Sequence, residues 1–289
     1  MAFKKILLPT DFSPQADRAL AHAIRLAEIE NAEVIVQHVV SDYFERYPHW
    51  STLFDLHETQ KQMDNYIDTH MAATLPKGTL NTRFRSVVSK GRPAEEIVAL
   101  AEKEKVDLVV MGSARGVITN QVIRLTNQPV LAVTARPPED KDKDLQRIDR
   151  ILVATDFSEH SKKVVGYAFD LKRIFNASIY MLYVIETSKA VDFGIRQGHL
   201  TDSVGKMREW AANQLVNLTP DEFVDDPRVV RIVELGSPSG RIAEVADQIG
   251  ADLTIVGIHE HGAIYKHFIG TTTDKLLTKT STPILTVRL

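Results

Sequence analysis

The sequence predicts two similar α/β domains in tandem, each built on a parallel, doubly wound sheet. Three observations carry that expectation. The length of 289 residues suits two domains better than one. The segment KKILLPTDFS at Lys4 to Ser13 returns as DRILVATDFS at Asp149 to Ser158, and the same spacing of 145 positions carries Asn31-Ala32 onto Asn176-Ala177, Val39 onto Val184, Gly91 onto Gly236, Pro93 onto Pro238, Asp107-Leu108 onto Asp252-Leu253 and Gly112 onto Gly257. Within each copy, short apolar runs alternate with helical periods, the order that gives a parallel sheet with right-handed crossovers.

The elements follow in order. A strand is expected at Ile6 to Leu8, then a helix from about Gln15 to Glu28 with Ala19, Ala23 and Leu26 on one face. The mostly apolar run Val34 to Val40, matched by Ile179 to Ile185, suits a parallel strand covered on both sides. Long helices are expected near Asp55 to Ala73 and Asp202 to Leu218; in the second, Val204, Met207, Trp210, Ala211 and Leu215 fall at helical spacing and are expected in the core. A strand at Arg83 to Val88 (Val229 to Val233), a helix opened by Gly-x-Pro, a strand at Leu108 to Met111 (Leu253 to Val256) and a last strand at Val130 to Val133 (Ile284 to Val287) close each copy. The domains are expected at 1–136 and 148–289. Between them, residues 137–147 combine proline with solvated charge and read as a linker.

Composition narrows the function classes. Lys plus Arg number 35 against 38 Asp plus Glu, for a net charge of -3, so no basic excess exists to release counterions from a nucleic-acid backbone. The chain has no cysteine, which removes disulfides, thiolate catalysis and cysteine-held metal. The apolar run before Asp11 is too short for a signal segment, and no stretch approaches membrane-spanning length, so a cytoplasmic location is expected. There is no Gly-x-Ser-x-Gly elbow and no complete GxxxxGK[ST] loop. The protein is expected not to be an enzyme, weak ATP hydrolysis being left open.

In doubly wound sheets, ligands sit beyond the carboxyl ends of the strands where strand order reverses. Asp11 and Asp156, Val39 and Val184, and Gly112 and Gly257 all fall at such ends. Asp156 reads equally as a ligand contact or as the cap of a helix beginning near Ser158.

PTDFS near the N-terminus, HVV or YVI ending the second strand, Gly-x-Pro opening the third helix and VMG or IVG closing the fourth strand resemble the universal stress proteins, across nearly the whole chain. The resemblance implies a five-stranded, adenine-nucleotide-binding α/β fold in cytosolic stress-survival proteins. It also implies pairing through the last strand, which would set Val130 to Val133 beside Ile284 to Val287, and it leaves room for a homodimer and an unknown protein partner. Nucleotide-binding members carry Gly-x-x-Gly, nine residues, then Gly-Ser/Thr after the fourth strand. On that pattern the second copy offers Gly257, His259, Gly270, Thr271 and Thr272 to the phosphates, and Ala154, Thr155, Asp156 and Val184 to the adenosine portion of ATP or a related nucleotide.

Glycines let backbone approach phosphate, and a helix N-terminus donates to it. Glu260 stands where the second glycine belongs, with Gly262 displaced by two residues. Two like charges about 4 Å apart repel by about 1 kcal/mol in water and by more when desolvated, so phosphate binding is weakened, redirected or dependent on magnesium or manganese. His259, Glu260, His261 and nearby His267 have metal-donor chemistry at low specificity. In the first copy the loop is nine residues shorter, since Pro129 follows Gly112 by 17 where Pro283 follows Gly257 by 26. Its phosphate loop is expected to be non-functional, with Asp11 a relic or turn cap and Arg115 a weak anion candidate. Two rivals remain: an interaction scaffold that binds no nucleotide, and a weak ATP hydrolase.

Overall fold

A computed structural model describes residues 3–41, 56–74, 83–113, 117–134, 148–159, 161–186, 200–258 and 271–288. The chain divides into two compact units, residues 2–135 and 136–289. In the first, β1 (Lys5–Pro9), α1 (Pro14–Glu30), β2 (Glu33–Ser41), α2 (Leu56–Thr74), β3 (Arg83–Gly91), α3 (Pro93–Glu104), β4 (Leu108–Ser113), α4 (Val117–Leu125) and β5 (Val130–Thr134) follow one another. The strands lie in the order β3-β2-β1-β4-β5, all parallel. The second unit repeats this with β6 (Arg150–Thr155), α5 (Ser161–Phe175), β7 (Ser178–Glu186), α6 (Leu200–Leu218), β8 (Val229–Gly236), α7 (Pro238–Ile249), β9 (Leu253–Ile258), α8 (Thr271–Lys279) and β10 (Ile284–Arg288), in the order β10-β9-β6-β7-β8. The expected doubly wound parallel α/β class is the observed one. Among the described residues, no helix is long and apolar enough to cross a membrane.

Local chemistry explains where these elements stop. α1 starts where Ser13 Oγ accepts from Ala16 N at 3.2 Å and Pro14 supplies a ready-made φ. It ends at Asn31, which takes the left-handed conformation at φ 52° as its N–H reaches back to Ala27 O; Asn176 repeats that conformation at φ 54°. The Gly-x-Pro turns need their glycines. Gly91 and Gly236 sit at φ 152° and 150°, and a Cβ there would run into the side chain of Glu96 or of Arg241.

Ile6, Leu7 and Leu8 of β1 and Ile151, Leu152 and Val153 of β6 are fully buried, as helices on both faces require. The amino ends of the strands are closed by the repeated aspartate. Asp107 Oδ2 accepts from Lys4 N and Lys5 N at 2.7 and 2.9 Å, and Asp252 Oδ2 accepts from Asp149 N and Arg150 N, both at 2.9 Å. These carboxylates clamp the edge of the sheet opposite to the expected ligand crevice, so their repetition has a structural cause.

The α6 stripe is only partly core. Ala211 and Leu215 are buried, Val204 and Met207 are half-buried, and Trp210 is 51% exposed, which corrects the expectation that the whole stripe is internal. The helical period names a face but not its edge; Trp210 lies at the rim of that face.

Candidate functional site

At the carboxyl end of β6 the chain folds through a tight turn with internal bonds. Phe157 N donates to Thr155 Oγ1 at 3.2 Å, and Asp156 Oδ1 accepts from Ser158 N at 3.0 Å and from Ser161 Oγ at 2.8 Å. The first unit repeats the backbone part: Phe12 N donates to Thr10 Oγ1 and Ser13 N donates to Asp11 Oδ1, both at 3.0 Å. α5 begins at Ser161, three residues later than expected, so Asp156 closes a turn ahead of the helix and is not its direct N-cap. Asp11 is the turn-closing residue that the sequence offered as one reading.

These turns hold a phenylalanine in the left-handed region, Phe12 at φ 61° and Phe157 at φ 60°. A bulky residue there costs on the order of 1–3 kcal/mol and persists only when its surroundings fix it. Aromatic contacts do so. Phe157 stacks on Tyr183 at 4.3 Å between ring centroids and meets Trp210 edge-on at 5.3 Å. Phe12 meets His38 at 4.7 Å and Tyr66 at 5.0 Å in the same arrangement. Such pairs contribute about 0.5–1.5 kcal/mol each beyond area burial. His38 Nδ1 also lies 2.9 Å from Thr10 O. Tyr66 donates to Asp17 Oδ1 at 2.6 Å, and burial together with that carboxylate raises its hydroxyl pKa well above the usual tyrosine range. The sequence carried a signal for this cluster: the spacing of 145 that aligns the copies also takes Phe12 to Phe157 and His38 to Tyr183.

Because successive residues of a strand face opposite sides, Tyr183 on the α6 side sends Val184 to the α7 side. Val184 is half-buried beside Glu234 of β8. Ala154 pairs with Leu182 on one side and Val256 on the other, and Gly257, next along β9, pairs with Val287. Ala154, Thr155, Asp156, Val184 and Gly257 therefore gather at the carboxyl ends of β6, β7 and β9. The strand order reverses between β6 and β9, where a doubly wound sheet opens its crevice. Thr271 and Thr272 open α8. Asp274 lies in the same first turn, a carboxylate that the sequence reading passed over. His259, Glu260, His261, Gly262, His267 and Gly270 lie outside the described residues, as does Arg115. No group of three or more metal-donor side chains occurs among the described residues.

At the corresponding place in the first unit the packing is close. A Cβ on Gly112 would lie 2.5 and 2.6 Å from the carbonyl carbon and oxygen of Gln15 and 2.8 Å from Ala16 N. Glycine is required there because the first turn of α1 lies directly on β4. Thr119, in α4, is buried and donates to Gly112 O at 3.3 Å, so its hydroxyl serves the fold.

Comparison with known proteins completes the description. The sequence model of the universal stress protein family matches residues 2–134 and again 147–288. A universal stress protein of Methanocaldococcus jannaschii is 30% identical over 153 residues, which cover 45% of this chain and 94% of that protein. One from Mycolicibacterium smegmatis is 22% identical over 294 residues, covering 98% of this chain and 96% of the relative. The crystal structure of a universal stress protein from Archaeoglobus fulgidus shares the fold over 98% of both chains, with a TM-score of 0.71 at 17% identity. With the family matched once over each copy, the chain belongs to the universal stress protein family and carries two of its domains in tandem.

Proposed function

We propose that the second unit binds an adenine nucleotide, ATP or a close relative, and that the protein acts in the cytoplasm as a sensor or adaptor toward a protein partner, without turnover of its own. One observation carries this reading: Asp156 and Gly257 lie at the carboxyl ends of β6 and β9, on either side of the strand-order reversal, with Val184 at the end of neighbouring β7. In that arrangement Val184 would line the base, Asp156 would accept from a hydroxyl or amino donor of the nucleoside, and the α8 amides would meet phosphate. The first unit serves as a structural copy, its segment after β4 being nine residues shorter than the one after β9.

A second reading, a scaffold that binds no nucleotide, gains support from Asp274. A carboxylate in the first turn of α8 satisfies the helix dipole and competes with a phosphate for it. Magnesium or manganese would relieve that competition by bridging carboxylate and phosphate. Calorimetric titration of ATP into the full chain, with and without magnesium and after removal of carried-over nucleotide, separates the readings. Binding that Asp156→Ala weakens and Asp11→Ala spares supports the first. Absence of heat, with no carried-over nucleotide, makes the scaffold the better description. ADP release abolished by Thr271→Ala would instead establish a weak hydrolase.

A further inference from the structure

We propose that Ser161 is a positioning residue for the second unit's ligand, holding the Asp156 carboxylate toward a hydroxyl or amino donor of the bound nucleoside. The inference rests on the nucleotide reading above. Its basis is a difference in how two equivalent serine positions are used.

In the first unit Ser13 Oγ accepts from Ala16 N at 3.2 Å, an ordinary helix cap. In the second unit alanine is replaced: 145 positions after Ala16 stands Ser161. Ser161 N donates instead to the backbone oxygen of Ser158 at 2.9 Å, which frees both hydroxyl groups from capping duty. The two Oγ atoms lie 3.3 Å apart, and Ser161 Oγ donates to Asp156 Oδ1 at 2.8 Å. Ser161 is 2% exposed, so its hydroxyl is shielded from water on the donor side of that bond. Asp156 itself is exposed at the end of β6.

Two donors, Ser158 N and Ser161 Oγ, thus meet on one carboxylate oxygen. A carboxylate has about four acceptor positions, and two donors on one oxygen fix the rotation of the group. An ionised carboxylate only accepts. Its ligand partner must therefore be a donor, such as a sugar hydroxyl or an exocyclic amino group, and not a phosphate oxygen. Asp11, with alanine at the matching position, lacks the hydroxyl that would hold its carboxylate in this way.

The test is calorimetric titration of ATP into the full chain carrying Ser161→Ala, Ser161→Thr or Ser161→Cys, with thermal melting of each nucleotide-free protein. The expected result is an affinity about tenfold weaker for Ser161→Ala, as losing a charge-assisted hydrogen bond implies. Ser161→Thr restores it to within about threefold, because the hydroxyl is retained. A purely structural serine would instead move melting temperature and affinity together in both variants. Should Ser161→Ala unfold, Ser161→Cys keeps the volume with a poor donor, and wild-type affinity in that variant overturns the proposal. It is equally overturned if Ser161→Ala binds as the wild type does, or if Ser161→Thr binds as weakly as Ser161→Ala. Failure of the wild-type chain to bind ATP at all is a distinct result: it removes the nucleotide reading, and this inference with it.

Discussion

The first unit and the second close the same turn with the same backbone bonds, yet they spend their side chains differently around it. In the first, Ala16, Ala27 and Glu96 occupy the positions that Ser161, Lys172 and Arg241 hold in the second. Two of these replacements put a polar side chain where the first unit has alanine, and the third exchanges a carboxylate for a guanidinium. Ser161 binds Asp156, Lys172 pairs with Asp226, and Arg241 bridges Glu234 at 2.6 Å and also Glu244, both of which raise its pKa. The difference teaches that the scaffold depends on the shared features, the Asn C-caps, the Gly-x-Pro turns and the aspartate clamps, while the second unit adds polar side chains at positions the scaffold leaves open.

The largest effect expected from breaking this contrast lies at Lys172. Its side chain is 2% exposed, donates to Ala177 O at 3.0 Å, pairs with Asp226 Oδ2 at 3.0 Å and lies 5.4 Å from the ring centroid of Phe223. Removing one member of a buried pair strands the other charge, at a cost of about 3–5 kcal/mol. Asp226→Ala should therefore lower the second unit's stability by about that much. The first unit, with Ala27 in place of the lysine, has no counterpart to lose. Urea unfolding followed by Trp210 emission, in a Trp50→Phe background, measures it. A shift below 1 kcal/mol would mean that the pair is not stabilising.

The next effect belongs to the first unit. Gly112→Ala would force a methyl group to within 2.5 Å of the Gln15 backbone, where no flexible side chain can yield. Overpacking of this kind costs about 3 kcal/mol. If nucleotide binds only in the second unit, ATP affinity should be unchanged in the same variant, so stability and binding separate in a single protein.

Acid tests the Lys172 network without mutation. The N–H of Arg228 and then Lys172 depress the Asp226 pKa from 3.8 to about 2. A carboxylate with a lowered folded-state pKa contributes stability above its unfolded pKa, and that contribution is lost as pH falls through the folded value. The second unit should accordingly weaken between about pH 4 and pH 2, by on the order of 1–2 kcal/mol after allowance for solvent screening. Asp226→Asn should flatten that limb of the stability curve.

The two units also show what a sequence can and cannot disclose. The strand runs were legible because burial on both faces leaves continuous apolar stretches such as Ile6 to Leu8 and Ile179 to Ile185. The glycine turns were legible because few residues tolerate φ near 150°. The crevice followed from strand order alone. What stayed hidden depends on contacts distant in sequence. Nothing local to Asp107 announces that it will bind Lys4 N and Lys5 N, about a hundred residues away. Nothing near Phe12 or Phe157 announces a left-handed backbone, which rings from another strand and another helix sustain. Gly112 is the instructive case: the sequence marks it only as a strand end, whereas its position demands room for α1.

The smallest expected effect sharpens the comparison most cleanly, since it concerns backbone alone. Lys105 ends α3 at φ 52° with its N–H directed to Ala101 O and Glu102 O, and Gly250 ends α7 at φ 59° with the same two bonds. The first unit thus pays a left-handed penalty that the second avoids through glycine. Lys105→Gly should stabilise the first unit by about 0.5 kcal/mol, the strain relieved being partly offset by the greater freedom of glycine in the unfolded chain. Gly250→Ala should destabilise the second by about 1 kcal/mol. Its new Cβ would stand 3.1 Å from Arg150 Nη1, which donates to Ile249 O and must move aside. Equal and opposite shifts in thermal melting would identify backbone conformation as the whole cause. A larger loss at Gly250 would assign the excess to the displaced Arg150 bond, a contact made at the amino end of the second sheet.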